Sequence, residues 1–232
     1  MNITSPSKRY FIAGTDTGVG KTRVTGGLLA AARAQGHRVA GMKPVAAGAI
    51  SIDGRMFSDD ALYIARSSGQ LTPYELLNPY LLAEPLSPHI AARRAGVQID
   101  VGKIVAAGEV LAAGHELLLM EGSGGWYAPI SESATMSQVC LALGARVLLV
   151  VGLRLGCLNH ALLTMRAITR DGAEFYGWIA NHVDAHFAAA TENVASLEQL
   201  LGRRPLATLA HRADTAGDAL ELHSAAAKLL AR

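Results

Sequence analysis

Gly14-Thr15-Asp16-Thr17-Gly18-Val19-Gly20-Lys21-Thr22 stands between an apolar run, Tyr10-Phe11-Ile12-Ala13, and an Ala/Leu-rich stretch from Lys21 to Gln35. In that stretch Val24, Leu28 and Ala32 recur every four residues, and Gly36 follows it as a glycine just past a helix end should. A strand running through a glycine-rich loop into a helix is the context a phosphate loop needs. Backbone N–H groups around Gly18 to Lys21 can converge on phosphate oxygens, and the helix N-terminus adds positive potential. Lys21 then neutralises the β- and γ-phosphates, and the Thr22 hydroxyl binds magnesium. Five residues separate Gly14 from Gly20, one more than in the usual G-x-x-x-x-G-K-T, so Thr15 holds the first glycine position. The plain alternative is a glycine-rich turn followed by a solvated lysine.

Outward from this loop the chain alternates short apolar runs with longer helical stretches. Strands are expected over Arg38 to Met42, Leu117 to Met120, Val147 to Val151, Phe175 to Ala180 and, most weakly, Pro205 to Leu209. Helices are expected over Asp59 to Ser67, Val101 to Ala112, Ser137 to Leu143, His160 to Arg170, Ala188 to Leu201 and Asp218 to Leu230. Continuous apolar strands alternating with helices predict a three-layer α/β/α fold with a mostly parallel central sheet, here of the P-loop NTPase type, as one domain over residues 1–232. Gln70 to Gly96 holds Pro73, Pro79, Pro85 and Pro88 with several apolar and aromatic residues, and reads as an ordered excursion over the sheet.

Composition narrows the function. Half of the 232 residues are apolar, 17% are charged and the net charge is +2, with Lys and Arg scattered, so a nucleic-acid surface is not expected. No stretch reaches the roughly 18 continuous apolar residues of a membrane span. The opening residues Met1 to Ser7 lack an apolar signal segment, so the expected setting is cytoplasmic. Cys140 and Cys157 form no CxxC pattern and read as ordinary buried thiols.

Polar residues stand at the strand ends. Glu121 follows an apolar run, where a carboxylate can reach a metal at the phosphate loop; capping the next turn is the alternative. Asp60 opens a helix after the second strand and offers a further ligand, or ordinary helix capping. Lys43 ends the second strand before Pro44, at the carboxyl edge where open α/β sheets bind ligands; a solvated charge is the alternative. Other signals read as structural. His182 and His186, four apart, suit one helical face without a third metal ligand. His89 suits a structural hydrogen bond, Trp126 and Tyr127 suit core or interface, and Arg203-Arg204 suits a turn.

Read together, these segments resemble the dethiobiotin synthetases. The matching pieces are Gly14 to Thr22, Lys43-Pro44-Val45-Ala46, Ser58-x-Asp60-Ala61, Asn78-Pro79-Tyr80, Glu84-Pro85-x-Ser87-Pro88-His89, Glu121-Gly122-x-Gly124-Gly125-Trp126, Leu155-Gly156-Cys157-x-Asn159-His160 and Ala180-Asn181, in order over about residues 8 to 183. The family also places Thr where the usual loop has its first glycine.

The resemblance implies an ATP-dependent ligase of biotin biosynthesis that closes a cyclic urea on 7,8-diaminononanoate with carbon dioxide. The route runs through a carbamate and a carbamic–phosphoric anhydride. It implies that Lys21, Lys43 and Thr17 surround the reacting carbamate and γ-phosphate, and that Thr22, Asp60 and Glu121 hold Mg²⁺. Gly18, Val19, Gly20, Lys21 and Thr22 would cradle the ATP phosphates, with Glu121, Gly122, Ser123 and Gly124 forming a turn beside phosphate and substrate. Asn181 would read the base edge. Thr17, Lys43, Ala47 and Gly124 would face substrate, and Leu155 and Asn159 would meet the partner subunit's substrate carboxylate in a homodimer.

Three positions depart from the family. Ala47 stands where a serine is frequent, His182 where an acid is common, and Leu209-Ala210-His211 lacks a proline that usually closes the nucleotide pocket. Two other classes share the phosphate loop. Partition-type ATPase switches usually carry a second lysine inside the loop, absent from Thr15-Asp16-Thr17-Gly18, and no basic amphipathic helix is found over Asp218 to Arg232. Cobyrinic-acid-type amidating synthetases usually carry an added glutamine-hydrolysing domain, for which 232 residues leave no room.

Overall fold

The computed structural model describes residues 7–212, 214–215 and 217–231. The chain opens with β1 (Lys8–Gly14), α1 (Lys21–Ala34) and β2 (Val39–Met42). An excursion follows: β3 (Val45–Ala47), β4 (Ile50–Ile52), β5 (Arg55–Phe57), α2 (Asp59–Ser68), α3 (Tyr74–Leu77), β6 (Tyr80–Leu82) and α4 (Pro88–Arg94). The chain then regains its alternation through α5 (Val101–Ala113), β7 (Leu117–Gly125), α6 (Met136–Ala142), β8 (Arg146–Leu153), α7 (Cys157–Arg170) and β9 (Phe175–His182). It ends with α8 (Ala190–Leu201), β10 (Thr208–Leu209), α9 (Asp218–Glu221) and α10 (His223–Leu230).

Six strands form one parallel sheet in the order β10-β9-β8-β1-β7-β2. Its strands are apolar on both faces because each face has its own core. Tyr10 and Ile12 of β1, Leu117 and Leu119 of β7, and Leu148 and Val150 of β8 point into one core with Val24, Leu28, Ile64, Leu222 and Leu229 from α1, α2 and the C-terminal helices. The alternate residues, Phe11, Leu118, Met120, Val147 and Leu149, meet Ile104, Val139, Ile168 and Leu197 of α5 to α8 on the other side. The two-residue side-chain period of a strand therefore supplies both layers. The expected α/β/α sandwich is what forms. No helix among the described residues is long and apolar enough to cross a membrane.

The elements differ from the sequence reading in informative places. β7 continues to Gly125, so Glu121 to Gly124 is strand and not a turn, and Glu121 caps nothing. Pairing between β1 and β7 is regular to Ile12↔Glu121 and resumes only at Gly14↔Gly125, a bulge on β7 that swings Ser123 and Gly124 away from the ladder. The C-terminal helical stretch breaks at Leu222 into α9 and α10. Helix α7 begins at Cys157, three residues early, because Gly156 takes the left-handed turn that starts it (φ 94°). His182 ends β9 and His186 lies in the turn beyond it, so they share no helical face.

The Gln70–Gly96 excursion is ordered, and β6 pairs with β3 in a second, two-stranded sheet. The β4–β5 hairpin had no expectation behind it. Its Asp53-Gly54 tip has both residues at positive φ (49° and 77°), the chemistry of a tight two-residue turn. His89 accepts and donates nothing at its buried Nδ1, against the structural hydrogen bond expected of it. Both cysteines are buried free thiols, and Trp126 is core, edge-on to Phe11 at 6.2 Å.

Edge strand β2 is closed off by a side chain. Gln70 accepts from the Gly41 N–H at 2.7 Å and donates to the Gly41 carbonyl at 3.2 Å, replacing the next strand. On the inner face, a Cβ at Gly41 would fall 2.1 Å from Ile64 Cγ2 and 2.8 Å from Leu29 Cδ1, both fully buried. Gly41→Ala is therefore expected to lower the unfolding free energy by about 1–3 kcal/mol through overpacking. An unchanged urea midpoint would refute this account of the β2–α2 contact.

Candidate active site

The carboxyl ends of β1, β2 and β7 open into a cleft of about 830 Å³. Parallel strands place all their C-terminal ends on one edge, so side chains just past the apolar runs are gathered there without further instruction. Thr17, Gly18, Gly20, Lys21 and Thr22 form one wall, and Lys43, Asp60, Glu121, Ser123 and Gly124 form the floor and the opposite side.

Loop geometry comes from glycine and from local bonds. Gly18 (φ 74°) and Gly20 (φ 89°) both take left-handed backbone, and Gly20 starts α1. The Thr17 N–H is held by the Asp16 carboxylate at 2.7 Å, and Asp16 is itself held by Arg154 at 2.5 Å. Lys21 Nζ curls back to donate to the Asp16 carbonyl at 2.9 Å. That bond is one a phosphate oxygen can replace.

Behind the loop sits a charged cluster. Glu121 is 1% exposed and Lys43 is 4% exposed. Lys43 Nζ donates to Glu121 Oε1 at 2.5 Å and to Asp60 Oδ2 at 2.8 Å, while the Thr22 hydroxyl donates to the same Glu121 Oε1 at 2.8 Å. Lys43 is thus no solvated strand-end charge. Its own carbonyl accepts from Asn78 Nδ2 at 2.6 Å, and its N–H donates to the Leu77 carbonyl, which ties the strand end to the excursion. Asp60 is not the cap of α2 either, since the Ser58 side chain accepts from the Ala61 N–H. Burial by itself would lower the Lys43 pKa, but the Glu121 and Asp60 carboxylates outweigh it and hold it above the ordinary lysine value. Asp60 is held below the ordinary carboxylate value: burial opposes this, and the Lys43 charge prevails.

Glu121 Oε2 is buried with no hydrogen-bond partner, an unmet acceptor next to the Thr22 hydroxyl and the Asp60 carboxylate. No cluster of three or more His, Cys, Asp or Glu able to hold a metal occurs among the described residues. Two carboxylates and a hydroxyl beside a phosphate loop do fit Mg²⁺, which takes one or two carboxylates and leaves its other positions to phosphate oxygens and water.

The remaining expected residues divide. Ala47 and Gly124 line the cleft, and Ser123 lines it with its hydroxyl donating to the Val45 carbonyl. Gly122 faces away: it is buried, and a Cβ there would meet the Phe11 ring at 2.8 Å. Val19 is buried core. Asn181, at the end of β9, is 2% exposed and stands behind the loop, with its Nδ2 donating to the Val19 carbonyl at 2.9 Å. Leu155 and Asn159 are exposed at the start of α7 and do not line the cleft. The sequence reading missed Pro85 to Pro88 and Ala128-Pro129 as cleft wall. The sequence signals for the first group were the proline spacing in the excursion and the Glu84-Pro85-x-Ser87-Pro88-His89 match, neither of which gave it a place in the cleft.

Lys21 has its pKa lowered from 10.5 to about 8, chiefly by burial and further by the Lys43 charge, with Glu121, Asp60 and Asp16 opposing. Between those values the folded protein has shed a proton that the unfolded chain keeps, so this group adds stability as pH rises through the window. A bound triphosphate favours the charged amine. Nucleotide binding at pH 8.5 is therefore expected to take up part of a proton, read as a heat that changes with buffer ionisation enthalpy. Equal heats in two such buffers would contradict the assignment.

Residues 8–218 match the family model of an AAA domain. The chain is 44% identical over 192 residues to ATP-dependent dethiobiotin synthetase from Xanthomonas axonopodis pv. citri, covering 83% of this chain and 86% of that one. It is 47% identical over 194 residues to ATP-dependent dethiobiotin synthetase from Nitrosospira multiformis, covering 84% of each. In shape it is similar to the septum site-determining protein MinD complexed with Mg-ADP from Pyrococcus horikoshii, with TM-score 0.61, 14% identity and 96% of each chain covered. It is also similar to a ParA family ATPase from Chlorobium tepidum, with TM-score 0.56, 15% identity and coverage of 97% of this chain and 93% of that one. These two likenesses establish the P-loop NTPase fold and nothing finer. The sequence relatives speak against the partition-type switch and the amidating synthetase: by them, this chain belongs to the family of ATP-dependent dethiobiotin synthetases.

Proposed function

We propose that the chain forms dethiobiotin from 7,8-diaminononanoate, carbon dioxide and ATP, with the charged cluster of Lys21, Lys43 and Glu121 as its reaction centre. The observation that carries this is the buried Lys43, whose ammonium lies at the floor of the cleft between two carboxylates, opposite the phosphate loop. A neutral amine of the substrate attacks carbon dioxide, and the carbamate formed carries a negative charge that Lys43 and Lys21 stabilise. A carbamate oxygen then displaces ADP from the γ-phosphorus. Fixed cations and loop N–H groups stabilise the charge spread over the equatorial oxygens. The second amine attacks the activated carbonyl carbon, phosphate leaves and the five-membered urea closes. No protein nucleophile is needed, because holding two amines and a phosphate in line supplies most of the rate.

Gly18, Gly20, Lys21 and Thr22 take the phosphates, while Val19 and Gly122 serve by packing and backbone alone. Thr17, Ala47 and Gly124 border the substrate. Thr22, Asp60 and Glu121 are the residues to hold Mg²⁺, which would neutralise charge on the β- and γ-phosphates. Asn181 is the base-contacting group. Leu155 and Asn159, exposed and not lining their own cleft, suit a role in a homodimer in which each copy completes the other's substrate site at the α7 N-terminus. The proposed setting is the cytosol.

The primary test follows phosphate release with Mg²⁺ and bicarbonate, with and without the diamine, together with product mass. Release that depends on the diamine, with one cyclic urea per phosphate, is the expected result; diamine-independent hydrolysis without urea would return the case to a switch ATPase. Lys43→Ala should abolish turnover and leave nucleotide affinity largely intact. It should also cost about 3–5 kcal/mol of stability by stranding Glu121. Lost nucleotide binding with normal turnover per bound complex would sink the role given to Lys43.

A further inference from the structure

We infer that Arg23 is a positioning residue that sets the nucleobase preference, by locking the Asn181 amide in one of its two orientations. This rests on the reading of Asn181 as the base-contacting group. Arg23 lies on α1 two residues after Lys21, and its guanidinium bonds three residues distant in the chain. Nε and Nη2 donate to the two carboxylate oxygens of Asp218 at 2.9 and 2.6 Å, and Asp218 is 1% exposed. Nη1 donates to the Ala210 carbonyl at 2.8 Å and to Asn181 Oδ1 at 3.0 Å. Ala210 is pinned from its other side as well, its N–H donating to Glu221 Oε2 at 3.2 Å.

The partners of Asn181 admit one orientation only. A guanidinium has donors and no acceptor, so the amide oxygen must face Arg23. The Val19 carbonyl has acceptor capacity only, so the amide nitrogen must face Val19. A flipped amide would set oxygen against oxygen and N–H against N–H. Gly20 adds a wall: its Cβ position lies 2.1 Å from Asn181 Nδ2, so the amide packs against bare backbone.

With those two bonds made, Asn181 has one N–H and one oxygen lone pair left to offer a base. That pair fits a base edge with an amino donor next to a ring-nitrogen acceptor, as adenine N6 and N7 present. It misfits an edge with two adjacent acceptors, O6 and N7, because the amide oxygen then meets a carbonyl oxygen. Arginine suits this task better than lysine, since its planar fork can hold Asp218 with two nitrogens while a third serves Asn181.

The test compares ADP with IDP, which carries a carbonyl in place of the amino group, by titration calorimetry on the full chain. The wild-type protein is expected to prefer ADP about tenfold or more in Kd. Arg23→Met removes one of the two bonds that fix the amide, leaving the Val19 carbonyl as the other, and should lower the ADP preference severalfold. The double variant Arg23→Met/Asp218→Asn should do the same without stranding the buried carboxylate, and serves if the single variant does not fold. A wild-type ratio near one would overturn the proposal. So would Arg23 variants that weaken both nucleotides equally. Asn181→Ala separates the two layers of the claim: if it abolishes the preference while the Arg23 variants keep it, only the positioning role fails. If Asn181→Ala keeps the preference, the base-contact reading fails and the positioning role with it.

Discussion

The buried ion pair between Lys43 and Glu121 is the constraint around which the site is built. Each is the first polar side chain after an apolar run, Lys43 just past β2 and Glu121 within β7, and the two strands are neighbours in the sheet with Met42 opposite Met120. Neither charge could be buried alone at acceptable cost. Their pairing lets two adjacent strands present ionised groups inside a low-dielectric cleft, where a charge acts far more strongly on a reacting phosphate than it would in water. Thr22 and Asp60 complete the cluster, so the phosphate loop and the excursion are both fastened to the same two strand ends.

That arrangement also explains the position of the excursion. Its hydrogen bonds to Lys43 come from Leu77 and Asn78, and its prolines wall the cleft. A second tie runs from the other side of α1, where Arg23 links the C-terminal segment to the loop through Asp218 and Ala210. The nucleotide loop is therefore bounded by two segments distant in sequence, one towards substrate and one behind the loop.

The sheet itself was legible because buried parallel strands need no alternation. Runs such as Leu117 to Met120 and Val147 to Val151 are apolar throughout, and each run's end marks the reactive edge. Lys43 and Glu121 could be named for the same reason, whereas Lys21 and Thr22 came from the loop motif and Asp60 took its role from the resemblance to the dethiobiotin synthetases. Asp53-Gly54 is also a recognisable turn, yet the strands it joins are three residues each, too short for a pattern to stand out.

What the sequence determined by itself is thus the local chemistry: a loop of small residues before a helix, apolar runs of strand length, and polar residues at their ends. Tertiary structure alone decided which of those polar groups meet. It buried Lys43 against Glu121, turned Gly122 into Phe11 and away from the cleft, and carried β7 past Glu121 through a bulge. It also left Leu155 and Asn159 outside their own chain's cleft and brought Asp218 to Arg23. Each of these depends on contacts between residues tens to hundreds of positions apart. Strand order and sheet register fix such contacts, and no local periodicity encodes them.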